Sequence, residues 1–170
     1  MKRFLFLLLT VITLSASGQT EAPVLKFGFL SYDAVLQSMA DYAAVESSMA
    51  QLQEQYAAEQ QRVEDEFNKK YEEFLDGQRD FPQTILQKRQ SELQELLDKN
   101  IAFKKEGQRL LAEAREKAMQ PLKARLADAL ARVGSSRGLA FIVNTDQNAL
   151  PWMNISMGED VTEAVQEALK

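Results

Sequence analysis

The chain has 170 residues, enough for one domain, with 20 Lys+Arg against 25 Asp+Glu, no histidine and no cysteine. That composition excludes Ser-His-Asp and Cys-His nucleophilic sites, zinc sites built on His or Cys, and support from disulfides. The acidic balance weighs against nucleic acid, whose phosphates need clustered Lys and Arg.

Residues 1–18 read as a secretory signal peptide. Lys2 and Arg3 form a basic start, Phe4 to Leu14 is an apolar run too short to span a bilayer, and Ala16-Ser17-Gly18 supplies small residues at cleavage spacing. Its removal leaves 18 Lys+Arg against 25 Asp+Glu, a formal net charge of −7. Without a cysteine no lipid can be attached at a mature N-terminal Cys, so an exported, soluble protein is expected.

After a short linker, Leu25, Phe27 and Phe29 alternate as in a strand. Ser31 is a plausible N-cap for a short helix through Val35, Leu36 and Met39, and Asp41 for the next one. From Tyr42 the period becomes helical. Tyr42, Val45, Met49, Leu52, Tyr56, Val63, Phe67, Tyr71 and Phe74 form one stripe. The stretch YEEFLDGQRDFPQT, residues 71–84, then breaks the pattern. Gly77 suits a C′ position with positive φ, and Pro82 and Thr84 open a second helix. Its stripe includes Ile85, Leu86, Leu93, Leu96, Leu97, Ile101, Leu110, Leu111, Ala114, Ala118, Leu122, Leu126, Leu130 and Val133. Pro121 reads as a kink rather than a stop, because the apolar spacing continues on both sides.

At 1.5 Å per residue the two helices are roughly 50 and 75 Å long. Neither is stable alone with so narrow a stripe, so they fold back on each other as an antiparallel hairpin. Residues Gly134 to Gly138 end the second helix. Leu139 to Val143 suits a strand buried on both faces, and Ala149 to Asn154, with Pro151 and Trp152, a further strand at an edge or bend. Asp160 and Glu163 resemble a capping box for a closing helix. The expected fold is α+β, mostly α: a long antiparallel hairpin (42–133, tip near 76–83) on a small β-containing body (19–41 and 134–170). Only about 55 residues lie outside the long helices, a unit too small to be comfortable alone, so strands of several copies are expected to complete a shared sheet.

Three segments carry a resemblance. KFGFLSYDAVLQSMADYAAVESSM, MQPLKARLADALARVGSSRGLAFIVN and GEDVTEAVQEAL resemble the first strand and helix entry, the return helix with its glycine turn and second strand, and the closing helix of the Skp (OmpH-like) periplasmic chaperones. The resemblance implies a homotrimer whose bodies join through common β-structure, with three hairpins hanging as tentacles in a jellyfish-like assembly. It also implies an ATP-independent holdase of the periplasm that holds unfolded outer-membrane proteins between the tentacles. No catalysis, cofactor, metal or nucleic acid is implied, and membrane contact is transient at most. The acidic charge weighs against lipopolysaccharide or anionic lipid as ligands. The alternative is a structural coiled-coil spacer or adaptor of the cell envelope.

Phe67, Tyr71, Phe74, Phe81 and Phe103 are the candidate client-binding residues. Phe103 stands out because Leu97 and Ile101 already occupy the stripe beside it. Met49 and Met119 share the choice between partner helix and cavity. Phe27, Phe29, Leu139, Phe141, Ile142, Val143 and Trp152 are the candidates for the trimer body. Client loops bearing Lys or Arg are expected to be drawn to an acidic cavity, more so at low salt.

Overall fold

The structure, a computed structural model, describes residues 25–148 and 150–170. The signal peptide, most of the linker after it and Ala149 lie outside the described residues. Strand β1 (Phe27–Leu30) leads into helix α1 (Tyr32–Ser38), then α2 (Tyr42–Gly77) and α3 (Gln83–Arg137). Strand β2 (Phe141–Asn144), single 3-10 turns at Asp146–Asn148 and Ile155–Met157, strand β3 (Gly158–Asp160) and helix α4 (Thr162–Ala168) complete the order.

The three strands form one sheet in the order β2-β1-β3, with both pairings parallel. Phe27 aligns with Phe141 and with Gly158, and Phe29 with Val143 and Asp160. Alternation along β1 buries Gly28 and Leu30 and leaves Phe27 and Phe29 half-buried on the opposite side. The phenylalanine side of the strand, which the sequence marks as apolar, is therefore not the side packed on the chain's own core. Strand β2 likewise departs from the expectation of burial on both faces. Ile142 and Val143 are half-buried, while Phe141 is 48% exposed.

The core holds Leu30, Val35, Leu36, Met39, Val161 and Val165, together with Met119, Leu122, Leu126, Ala129 and Val133 of α3. The last five repeat at steps of three and four, which keeps them on one helix face. The body thus takes much of its apolar content from the foot of α3, ahead of residue 134. Helix α3 runs unbroken through Pro121, which lies exposed. It also runs through Gly134, and ends only at Gly138 in the left-handed region (φ 64, ψ 34). There the Leu139 N–H donates to the Gly134 carbonyl at 2.9 Å and the Gly138 N–H to that of Ser135, a Schellman closure.

Caps and ends agree with expectation at Ser31 and differ in three other places. Ser31 does cap α1, accepting from the Ala34 N–H at 3.0 Å. Asp41 makes no cap hydrogen bond to α2, because its carboxylate instead accepts from Arg125 at 2.7 Å. Asp160 accepts from the Thr162 N–H at 2.9 Å, but it stands one residue outside the cap position held by Val161. Residues 150–154 are not a strand, and Trp152 is 79% exposed. Pro151 withholds an N–H there, and the third strand comes later, from Gly158-Glu159-Asp160.

Two arginines of α3 hold the far end of α4. Arg125 donates to the Leu169 carbonyl at 3.3 Å and Arg132 to the Ala168 carbonyl at 2.7 Å. Cations there satisfy orphan carbonyls and suit the helix dipole. At the other end of the body, the Ser31 hydroxyl and the Asp33 N–H, which donates at 2.8 Å, hold the carboxyl of Asp146 below the usual carboxylate range. The Thr162 hydroxyl and N–H do the same for Asp160. A carboxyl with a lowered folded pKa contributes stability above its unfolded value, about 3.9, and loses it as pH falls through the folded one. Melting temperature should therefore hold from neutral pH to about pH 5 and fall at more acid pH. In thermal scans across pH, Asp146→Asn should show a shallower acid loss than the parent. Identical acid limbs would rule out Asp146 as a contributor.

Candidate functional site

Helices α2 and α3 pack antiparallel over the whole length of α2. Their seam is loosely filled: no residue of α2 is buried, and ahead of Met119 only Gly107 of α3 is. The ring of Tyr56 lies over Gly107, and Phe103 tilts against Tyr56 with centroids 6.3 Å apart. Asn100 donates from its side chain to the Val63 carbonyl across the seam at 3.1 Å. A polar pair at one level fixes the register of a contact that apolar packing alone leaves free to slide.

Phe103 is thus a seam residue. Leu97 and Ile101, expected to fill that stripe, turn outward instead, with Ile101 60% exposed. The reason is angular. Leu96 and Asn100 hold the seam, and a residue one position later is rotated by about 100°. Tyr71 and Leu75 of α2 are also exposed, and Tyr71 stacks on Phe67 at 6.0 Å. Among the described residues of the hairpin, then, large apolar side chains face water in the half nearer the tip.

At the tip, Gly77 is the last residue of α2 and keeps a helical backbone rather than the positive φ its identity suggested. Its purpose is space. A Cβ there would lie 2.4 Å from Cζ of Phe81, whose ring folds back over the helix end. Pro82 then stands at the cap of α3 and accepts from the Ile85 N–H at 2.9 Å. Phe74 and Phe81 line a pocket of about 230 Å³ with Leu93, Leu96, Lys70 and Arg89. Gly77→Ala should displace the ring at little cost in stability, since the ring's far end can swing and Ala favours helix. In NMR spectra, nuclear Overhauser contacts between the Phe81 ring and residue 77 should be present in the parent and lost in the variant. Their absence in the parent would show that the ring does not rest on Gly77.

In the body, Phe27 and Phe141 stack with centroids 5.6 Å apart on the open side of the sheet. Phe29 and Val143 share that side, half-buried, whereas Leu139 and Ile142 pack against the core. Trp152, Ile155 and Met157, all exposed, follow in the loop that leads to β3. The structure brings Phe27 and Phe141 together and gathers Phe67 with Tyr71, and Phe74 with Phe81. Phe103 stands apart from these, closed against Tyr56.

Charge is confined to the surface. Among the described residues none that is polar or charged is buried, and no group of three or more acidic side chains is close enough to hold a metal ion. The perturbed groups on the hairpin are ion-paired and fully exposed. Arg62 lowers Glu59, Lys99 lowers Glu95 and Arg109 lowers Glu106. Such pairs contribute little to stability. Among the described residues no helix is long and apolar enough to cross a membrane.

Comparison with known proteins agrees in kind. The model of the family "Outer membrane protein (OmpH-like)" matches residues 26–169. None of the curated proteins matches the chain. Among solved structures, the crystal structure of a candidate outer membrane chaperone (OmpH-like) from Caulobacter crescentus CB15 is similar. It is 17% identical, covers 87% of this chain and 84% of its own, and superposes with a TM-score of 0.61. At that identity the likeness is one of fold.

Proposed function

The chain belongs to the OmpH-like outer membrane protein family, and from that premise we propose that it is an ATP-independent holdase chaperone of the periplasm. Family and fold support a chaperone-type role and give no sign of catalysis. Its clients are unfolded outer-membrane proteins, held between the hairpins of a homotrimer. The observation that carries this reading is the exposure of Tyr71, Leu75, Leu97 and Ile101 on the outer half of a loosely packed hairpin. Exposed apolar side chains dispersed over a long arm give many weak contacts. Within an enclosed volume these hold a chain through effective concentration, without a pocket that selects one sequence.

The trimer is supported by the body. A sheet with a half-open aromatic face, two free edges and the exposed Trp152, Ile155 and Met157 beside it presents more apolar surface than a lone small domain leaves in water. In this reading the body comprises 19–41 and 134–170 with the foot of α3 packed into it, and the tentacle is the rest of 42–133. Residues 1–18 direct export.

The test is suppression of aggregation of a urea-unfolded outer-membrane β-barrel protein, diluted into buffer with one trimer per client. Suppression without nucleotide is expected, together with a trimer mass by light scattering. A trimer that leaves aggregation unchanged would instead favour an envelope spacer. A monomer at micromolar concentration would overturn the shared-sheet assembly.

A further inference from the structure

The two broad faces of the hairpin's outer half differ in chemistry. Residues that precede a seam residue by one lie on one face, and those that follow by one lie on the other. Two surface grooves confirm the geometry. Glu73 and Glu92, preceding Phe74 and Leu93, line one of them. Ala50, Gln53, Gln108 and Ala112, following Met49, Leu52, Gly107 and Leu111, line another, in the half nearer the body.

The preceding face is a ladder of ion pairs, with Ile85, just before Leu86, its exposed large apolar side chain. Glu66, Glu92, Glu95 and Glu106 stand just before Phe67, Leu93, Leu96 and Gly107, and each pairs with an Arg or Lys three or four residues away. The following face holds Asn68, Gln87, Gln94 and Gln108 after Phe67, Leu86, Leu93 and Gly107. Interleaved with these amides are Leu75, Leu97 and Ile101, with Tyr71 one turn beyond Phe67. Glu64 and Lys104 add one charge of each sign to this face, and Asp98 accepts from the Gln94 side chain at 3.0 Å, leaving the Gln94 amide oxygen open.

Resting on the holdase reading, we propose that the amide-and-apolar face is the surface that grips clients. Its occupant is an extended polypeptide strand with alternate residues apolar, lying along the hairpin. Three features point to that partner. One helical turn, Leu97 to Ile101 or Tyr71 to Leu75, rises about 6 Å, and two residues of a strand span about 6.6–6.8 Å. The apolar side chains of an alternating strand therefore meet the apolar rows of the face over successive turns. Glutamine and asparagine both donate and accept, so they satisfy the unpaired backbone N–H and C=O of such a strand in either direction. The opposite face would have to shed the hydration of its paired charges to be covered, which disfavours it.

The chain has no cysteine, so single probes are clean. Gln94→Cys and Glu92→Cys sit at nearly one height on opposite faces. Each is labelled with a thiol-reactive benzophenone and photolysed with a urea-unfolded outer-membrane β-barrel domain after dilution. Crosslinking from position 94 should exceed that from 92 several-fold. The double variant Leu97→Gln, Ile101→Gln should keep its mass and helicity and retain the client about tenfold less tightly. Two peptides of one composition separate pattern from hydrophobicity, and the alternating one should bind tighter than the one with its apolar residues in a block. Equal crosslinking from both faces, or equal peptide affinities, with aggregation still suppressed, would overturn this inference and leave the holdase reading standing. Absence of both crosslinking and suppression would overturn the holdase reading itself.

Discussion

Leu126→Ala should lower the unfolding free energy by about 3 kcal/mol, the largest loss expected from a single truncation in this chain. Leu126 is fully buried, with Val35, Val161 and Val165 the other large side chains wholly out of water. It sits where the foot of α3 meets the elements that close the body, so the surrounding side chains come from both ends of the chain and cannot all collapse into the void. Urea denaturation followed by circular dichroism measures the loss as a lower midpoint at unchanged slope. The small body has little reserve, and a loss of this size is a large share of the stability of any domain. A cost below about 1 kcal/mol would mean that the core is not organised around α3.

Ile142→Asp should unseat β2 and abolish the proposed assembly. The Ile142 side chain lies 3.4 Å from the place a Cβ on Gly28 would take and 3.6 Å from the same place on Gly134. A carboxylate there is pressed between the sheet and α3 with no cation assigned to it. The expected cost is about 2–4 kcal/mol, since the side chain is half-buried in the single chain and is covered further if copies join. Light scattering should report loss of the mass of the proposed trimer, and thermal scans a lower melting temperature. Unchanged mass and melting would place Ile142 at the surface.

Both results depend on parts of the fold that differ in how plainly the sequence displays them. The two long helices are legible because their apolar residues recur over many turns, and no strand tolerates that period. The register of the seam is less so. Leu96 and Leu97 are chemically identical neighbours, and Asn100 gives no apolar signal. The step that sends Leu97 and Ile101 outward is therefore invisible until Tyr56, Gly107 and Asn100 fix the rotation of α3. Strand β3 was not legible at all. Gly158-Glu159-Asp160 has no apolar alternation, and it is a strand only because β1 offers it a free edge. Ala149 to Asn154 looked more like a strand, but Pro151 spoils it. Phe81 belongs to neither helical stripe, which the sequence displays, but its resting place on Gly77 is not legible, because the glycine signals a turn conformation while the structure uses its missing side chain.

The unbroken course of α3 has one mechanical consequence. The same rigid rod is bolted into the body at Met119 to Val133 and reaches to the far end of the arm at Gln83. It works as a lever. From Met119 outward the rod is about 54 Å long, so a tilt of about 10° at its foot carries the far end through about 9 Å. In the proposed trimer the volume between the arms would be set at their feet, by the packing of Met119 to Val133 in the body.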